Sequence, residues 1–373
     1  MSSERRLWRR VLEVAAWIVV IPAIVVSLMN AEIFRLVVGA FGPPPDAGMI
    51  RLLLLGTALA GLPFWRARRA GVSERAMAMR SAGLASAALV TVLIVTARSK
   101  DVRRHDVAFD GNGIRIGATI YEPLTNGRHP AVVFVPGSAP FKRGLYALWA
   151  EHLARLGVMS IVPDKRGVGG TGGAFERNNN SSKANLELLA GDAVAALDYA
   201  AKLPNVDTTR LGLFGVSQAG WVAPLAAVAT DRARFIIMVT GPAVSVREEG
   251  TWSDLRGDDK RAARLSRVDA EHVIDTVTAG GVDARTLLAE LKIPGLWLFG
   301  SDDASIPTRK SVIVLDSAVR GLNKRFTFDS APGYGHLVMG RPNGFIPRVA
   351  PSSWRAMDNW VEREVLSPGR RGS

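Results

Sequence analysis

The chain has 373 residues, 48% of them hydrophobic, with a mean hydropathy of +0.14 and a formal net charge of +13. It contains no cysteine, which excludes disulfides, thiolate metal sites, covalent haem attachment and cysteine nucleophiles. Residues 1–104 hold 15 Lys and Arg against 6 Asp and Glu, the remainder 32 against 28; basic charge that flanks apolar runs fits membrane topology and speaks against a nucleic-acid partner.

Three apolar segments open the chain, at residues 11–29, 49–65 and 81–97, broken only by Glu13 and Arg51 near the starts of the first two. Each is at the short end of the ~17–25 residues a spanning helix needs. Together they offer no polar helix face of the kind a soluble core helix turns to water, so residues 1–100 read as a membrane region. Arg5, Arg6, Arg9 and Arg10 precede the first segment, Arg35 follows it, and Arg66, Arg68, Arg69, Arg75 and Arg80 follow the second. Arg98, Lys100, Arg103 and Arg104 follow the third. Three spans with a cytoplasmic N-terminus place most of this charge inside, so residues 101–373 are expected on the extracytoplasmic side of a multi-pass protein. Were the second segment only interfacial, the same region would be cytoplasmic. A cleaved signal peptide is the competing reading of residues 1–31. The first run exceeds the usual ~7–15 residues and lacks a small-x-small cleavage site, which favours an uncleaved anchor.

From residue 101 the pattern alternates strands and helices. Residues 107–109 and 114–121 read as a hairpin around Gly111-Asn112-Gly113. Residues 131–135 and 158–162 are short, fully apolar runs, the mark of strands buried on both faces. Residues 145–156 and 186–201 read as helices, 211–216 as a strand, 219–229 as a helix and 235–239 as a strand. Further strands are expected at 295–299 and 325–328, and helices at 310–319 and 354–365. This order predicts an α/β domain: a mostly parallel sheet with helices on both faces. Residues 243–291 break the rhythm with charged, helix-prone sequence and read as a small cap inserted after a strand.

The sharpest chemical signal is Gly215-Val216-Ser217-Gln218-Ala219-Gly220, placed between an apolar strand and a helix. A serine on such a strained strand-to-helix turn projects its hydroxyl from the sheet edge. The Gln218 N–H, at the helix N-terminus, points at a developing oxyanion. Upstream, Pro136-Gly137-Ser138-Ala139-Pro140 follows a buried strand, and Asp164-Lys165-Arg166-Gly167-Val168-Gly169-Gly170-Thr171-Gly172 follows the next.

With these motifs in this order, residues 105–366 resemble an α/β-hydrolase, and in particular bacterial serine esterases and hydrolases allied to the prolyl-oligopeptidase group. The resemblance implies the α/β-hydrolase fold and assigns Ser138 as the second oxyanion N–H, with Pro136 standing where those enzymes usually carry histidine. It gives the Asp164–Gly172 turn a structural role. It also places the acid in Gly300-Ser301-Asp302-Asp303-Ala304-Ser305-Ile306-Pro307, where Asp303 has the spacing from both glycine and proline and Asp302 is the runner-up. Of the five histidines, only His336, in Gly333-Tyr334-Gly335-His336, follows the last strand and completes the order serine, acid, histidine.

The sequence speaks against two other chemistries. Gly167, Gly169 and Gly172 match G-x-G-x-x-G, but residues 174–180 form a loop where a dinucleotide site needs a helix. No H-E-x-x-H or comparable metal spacing occurs. The expected activity is therefore cofactor-free cleavage of a small-molecule ester or lipid-derived acyl substrate beside membrane lipid, through Ser217, Asp303 and His336 and an acyl-enzyme. Two alternatives stay open. One is a serine peptidase or amidase on the same fold, although this sequence has a short cap and no propeller-sized N-terminal domain. The other is a non-catalytic membrane receptor that keeps the hydrolase fold.

Overall fold

The computed structural model describes residues 102–257, 263–341 and 348–367. The three apolar segments expected to span a membrane lie outside the described residues, and among the described residues no helix is long and apolar enough to cross one.

The sheet begins with the expected hairpin. Strand β1 (Val102–Gly111) pairs antiparallel with β2 (Ile114–Pro123), closing at Gly111 and Ile114. Asn112 and Gly113, both at positive φ, supply the two-residue turn whose twist matches that of the strands. Next come β3 (His129–Val135), β4 (Met159–Pro163), β5 (Val206–Val216), β6 (Ile236–Val239), β7 (Gly295–Gly300) and β8 (Phe326–Ala331). The eight strands stand in the order β1-β2-β4-β3-β5-β6-β7-β8, and every pair from β4 to β8 is parallel. Every residue of β3, β4, β6 and β7 is buried, because helices cover both faces of a parallel sheet.

Helices α1 (Ala147–Arg155) and α8 (Pro351–Val361) lie on one face. There Trp149, Met357 and Trp360 pack with Phe134, Phe214 and Ile237. Helices α2 (Lys183–Ala200) and α3 (Ala219–Ala229) cover the other, against Ile120, Val133, Leu213 and Met238. The start of α1 departs from the expected α-helix: residues Arg143–Tyr146 form a 3-10 turn that leads into it.

Between β6 and β7 lie α4 (Val246–Arg256), α5 (Arg267–Thr276) and α6 (Ala284–Glu290), within the segment expected to form a cap. Among the described residues, only α4 and α5 build a core of their own, from Trp252, Ala270 and Ile274. Ala284, Leu288 and Leu291 instead join the main core, so the last part of the insertion belongs to the body of the domain. Helix α7 (Thr308–Leu322) connects β7 to β8. A parallel sheet connected this way gathers its strand-to-helix loops along the C-terminal edge, where ligands of open α/β sheets bind.

Candidate active site

Ser217 follows the last residue of β5 and sits at φ 54°, a left-handed conformation few non-glycine residues adopt. Two hydrogen bonds fix the turn: the Ser217 N–H donates to Val239 O at 3.0 Å, and the Gly220 N–H donates back to Ser217 O at 2.8 Å. The small residues around it are sterically required. A Cβ on Gly215 would come within 2.5 Å of Met238 Cε and 2.8 Å of the Ala219 methyl. One on Gly220 would meet Pro242 Cδ at 2.5 Å and Pro242 N at 2.6 Å. The strand and helix therefore close tightly enough to force the bend that exposes the serine.

Asp303 and His336 come from the loops after β7 and β8. The His336 Nδ1 lies 2.9 Å from Asp303 Oδ2. The other carboxylate oxygen of Asp303 accepts the Ser305 and Ile306 N–H groups at 2.8 and 2.9 Å. Asp303 is 2% exposed, and its remaining partners are thus backbone donors that hold the charge in place. Asp302, the runner-up, points elsewhere: its Oδ1 accepts from Arg267 Nη1 at 2.8 Å and from the Ser301 hydroxyl at 2.9 Å.

The two loops are bound into one unit. The Asp302 N–H donates to Tyr334 O at 2.8 Å and the Gly333 N–H to Ser301 Oγ at 2.9 Å, while within the second loop the Gly335 N–H donates to Met339 O at 2.8 Å. Leu337 and Val338 directly after the histidine have φ of 59° and 50°. Left-handed backbone at a β-branched valine costs on the order of 1–3 kcal/mol and persists only where its surroundings over-determine it. The cap contributes as well, since Trp252 Nε1 of α4 donates to Asp303 O at 3.1 Å.

The turn after β3 lies against the serine. A Cβ on Gly137 would fall 3.5 Å from Ser217 Cβ and 3.3 Å from Val216 O. The Gly137 N–H donates to Tyr146 Oη at 2.9 Å. Tyr146 is buried, and burial pushes its phenol up to about 12, against the smaller opposing pull of that hydrogen bond. No backbone carbonyl of the described residues accepts from the N–H of Ser138 or of Gln218.

The glycine-rich turn after β4 serves packing. The Arg143 N–H and the Gly170 N–H donate to the Asp164 carboxylate at 2.7 and 2.8 Å, and the Arg143 guanidinium also contacts it. A Cβ on Gly169 would collide with that carboxylate at 2.3 Å. Helix α2 opens only at Lys183, so the helix that a dinucleotide fingerprint requires is missing from the turn. Among the described residues no group of three or more His, Cys, Asp or Glu is placed to hold a metal ion.

Sequence reasoning passed over one residue at this edge. Lys165, read as part of a structural turn, is 3% exposed and reaches the turn after β3 and the Gln218 side chain. The signal available was a lysine directly after a fully buried strand and an Asp, followed by the polar run Asn178-Asn179-Asn180, whose last member also makes contacts here.

An uncharacterized protein of Mycobacterium tuberculosis (strain H37Rv) is 29% identical over 179 residues, 46% of this chain, which spans 59% of the length of that relative. Among solved structures, Pyrococcus horikoshii acylaminoacyl peptidase aligns with a TM-score of 0.52 at 15% identity, over 73% of this chain and 43% of that one. An acetyl xylan esterase from Paenibacillus sp. R4 aligns with a TM-score of 0.50 at 18% identity, over 70% and 84%. Both share the α/β-hydrolase fold seen here. The model of the prolyl oligopeptidase family matches residues 146–346, more than half of the 373 residues, and on that match the chain belongs to this family of hydrolases.

Proposed function

We propose that the protein is a membrane-anchored serine hydrolase that cleaves ester-type acyl substrates through Ser217, His336 and Asp303. The observation that carries this reading is the 2.9 Å contact between His336 Nδ1 and buried Asp303 Oδ2 at the sheet edge where Ser217 sits on its strained turn. His336 takes the proton of the Ser217 hydroxyl at Nε2 as the serine oxygen bonds to the substrate carbonyl carbon. The carbonyl π-electron pair moves onto oxygen, and the Ser138 and Gln218 N–H groups stabilise that charge. Collapse of the tetrahedral intermediate breaks the bond to the alcohol, which leaves with the proton returned by His336. Water then attacks the acyl-serine by the same route, regenerating the hydroxyl and releasing the acid. Asp303 keeps the imidazole in the tautomer and orientation these steps need.

No step calls for a cofactor. The basic flanks of residues 11–97 support an anchor and an extracytoplasmic hydrolase domain, which would place lipid-derived esters within reach. Membership of a peptidase family supports a second reading, in which the acyl group is attached to an amine.

The test uses the full-length chain, with Ser217→Ala as control. Both are exposed to a fluorophosphonate and to a panel of short-, medium- and long-chain acyl esters with matched acyl amides. Labelling and ester turnover in the wild type, both lost in the variant, are expected. Turnover of amides above esters would establish the peptidase reading. A folded wild type that is neither labelled nor active overturns the catalytic assignment and leaves a binding protein.

A further inference from the structure

Three parallel neighbours, β4, β3 and β5, end side by side on the active edge. Their ends deliver residues into a single polar knot, in which Lys165 and Gln218 are buried and Ser138 is exposed. From β4 comes Lys165, from β3 the Gly137-Ser138 turn, and from β5 Gln218. Lys165 Nζ donates to Gln218 Oε1 at 2.8 Å, to Gly137 O at 2.9 Å and to Ser138 O at 3.1 Å, with Asn180 Oδ1 farther off at 3.3 Å. An ammonium has three N–H groups, and the three shortest contacts use them all. Asn180 closes the knot: its Nδ2 donates to Ser138 O at 2.8 Å, and its carbonyl accepts from Gln218 Nε2 at 2.9 Å.

We propose that Lys165 is a positioning residue for oxyanion stabilisation: its ammonium grips the Gly137 carbonyl and the Gln218 side chain, and so aims the two N–H groups that receive the developing charge and polarises that of Ser138. The inference rests on the serine-hydrolase reading above. The Gly137 C=O and the Ser138 N–H belong to one planar trans peptide unit. Holding the oxygen on one side therefore fixes where the hydrogen points on the other. A cation on the carbonyl also polarises that unit and strengthens its N–H as a donor. On the second arm, Gln218 is 3% exposed. Its amide, held by Lys165 and by the Asn180 carbonyl, anchors the residue whose own N–H opens α3.

The charge state of the lysine then enters the chemistry. The acceptors of Nζ are all neutral oxygens, and burial lowers its pKa from the usual lysine value to about 7. The ring of Phe175 lies 5.3 Å from Nζ. Asp164, Arg166 and Asp192 line the cavity beside Lys165, but Asp164 is engaged by Arg143, and Arg166 by Asp192. Tyr146, on the far side of Gly137, stays a neutral phenol over this range. Loss of the Lys165 proton removes one of three donors and the polarising charge together, so turnover should decline as pH rises through about 7.

The experiment measures kcat and KM for a p-nitrophenyl ester, and the fluorophosphonate labelling rate, from about pH 5 to about pH 10. It compares full-length wild type, Lys165→Met and Lys165→Arg. Loss of a single oxyanion donor costs ~10²–10³ in turnover, and disordering rather than deleting two donors is expected to cost ~10–10². Lys165→Met should show that loss in kcat and in labelling rate, with KM little changed, labelling complete at long times, and no descending limb. Lys165→Arg keeps cationic donors that do not titrate in this range; it should retain more kcat than the methionine variant and also lose the descending limb. Two results overturn the proposal: wild-type kcat in Lys165→Met, or a reduced kcat with the wild-type pH profile intact. If Lys165→Met does not fold, a descending limb that persists in Lys165→Arg overturns it. A wild type that labels no better than Ser217→Ala instead brings down the serine-hydrolase reading and this inference with it.

Discussion

Asp302 and Asp303 are neighbours in one loop, yet only Asp303 is buried and faces His336, while the Asp302 side chain is 55% exposed and pairs with Arg267. Asp303→Asn keeps the shape but presents an amide that can donate to the imidazole and stabilise the wrong tautomer, so kcat should fall by about 10⁴-fold. Asp302→Asn breaks an exposed pair worth about 0–1 kcal/mol; kcat should stay near wild type, and steady-state kinetics on the two variants separates the roles. Equal losses would mean the histidine does not depend on Asp303. The family resemblance favours Asp303 over Asp302 through a local spacing from Gly300 to Pro307, and Asp303 is the one of the two that contacts His336. Lys165 was not legible in the sequence, because two of its acceptors are main-chain carbonyls, which carry no residue identity. Its partners lie 28 residues away at Gly137 and 53 away at Gln218, and only the adjacency of β4, β3 and β5 brings them together.

The elbow and the cap are where whole elements depend on single contacts. A Cβ at Gly215 meets the flexible end of Met238, whereas one at Gly220 meets the backbone nitrogen and oxygen of Pro242. Both alanine variants overpack, at about 1–3 kcal/mol, but Gly220→Ala should be the worse in thermal unfolding because proline backbone cannot move aside. A larger loss for Gly215→Ala would mean β5 and α3 are separated more freely than the contact at Pro242 allows. At the cap, Glu248 on α4 is 1% exposed; it accepts from both Arg285 Nη atoms at 2.6 and 2.7 Å, pairs with Lys310 Nζ at 2.8 Å, and completes a capping box with Ser245. Burial raises its pKa, but hydrogen bonds from Arg285, Lys310 and Ser245 outweigh this and hold the carboxyl well below the usual range. A depressed folded pKa gives stability that is present above the ordinary glutamate value of 4.5 and is lost as pH falls below it. Glu248→Gln should therefore lower the melting temperature at neutral pH, with the gap to wild type closing in acid; a gap that is constant with pH would show that shape alone matters. The helical character of this insertion could be read from its charged, helix-prone sequence. The return of Ala284 and Leu288 to the main core could not, because short apolar runs do not reveal which of two cores they join.

Across the whole molecule the fold was legible because a parallel sheet leaves a strong trace: short apolar runs buried on both faces, each followed by a helix. The same reading locates the site, since connections of one hand put all the strand-to-helix loops on one edge. Charge organisation is the other molecule-wide signal, and it bears on where the chemistry takes place. Residues 105–373 are nearly balanced, whereas the flanks of the apolar segments in residues 1–104 carry most of the basic excess. The proposed three spans would put nine Lys and Arg inside and five outside, and so would orient the domain away from the cytoplasm under the rule that basic loops stay inside. A reporter enzyme active only outside the cytoplasm, fused after Ser373, should then be active in cells, and its cytoplasm-specific counterpart should not. Replacing Arg66, Arg68, Arg69, Arg75 and Arg80 with neutral residues removes most of the retained charge, leaving four Lys and Arg inside against five outside, and should shift part of the population to the opposite orientation. A reporter active only in the cytoplasm, unmoved by those replacements, would reduce the membrane contacts to two spans or none and remove the argument for an extracytoplasmic substrate, while leaving the chemistry assigned to Ser217 untouched.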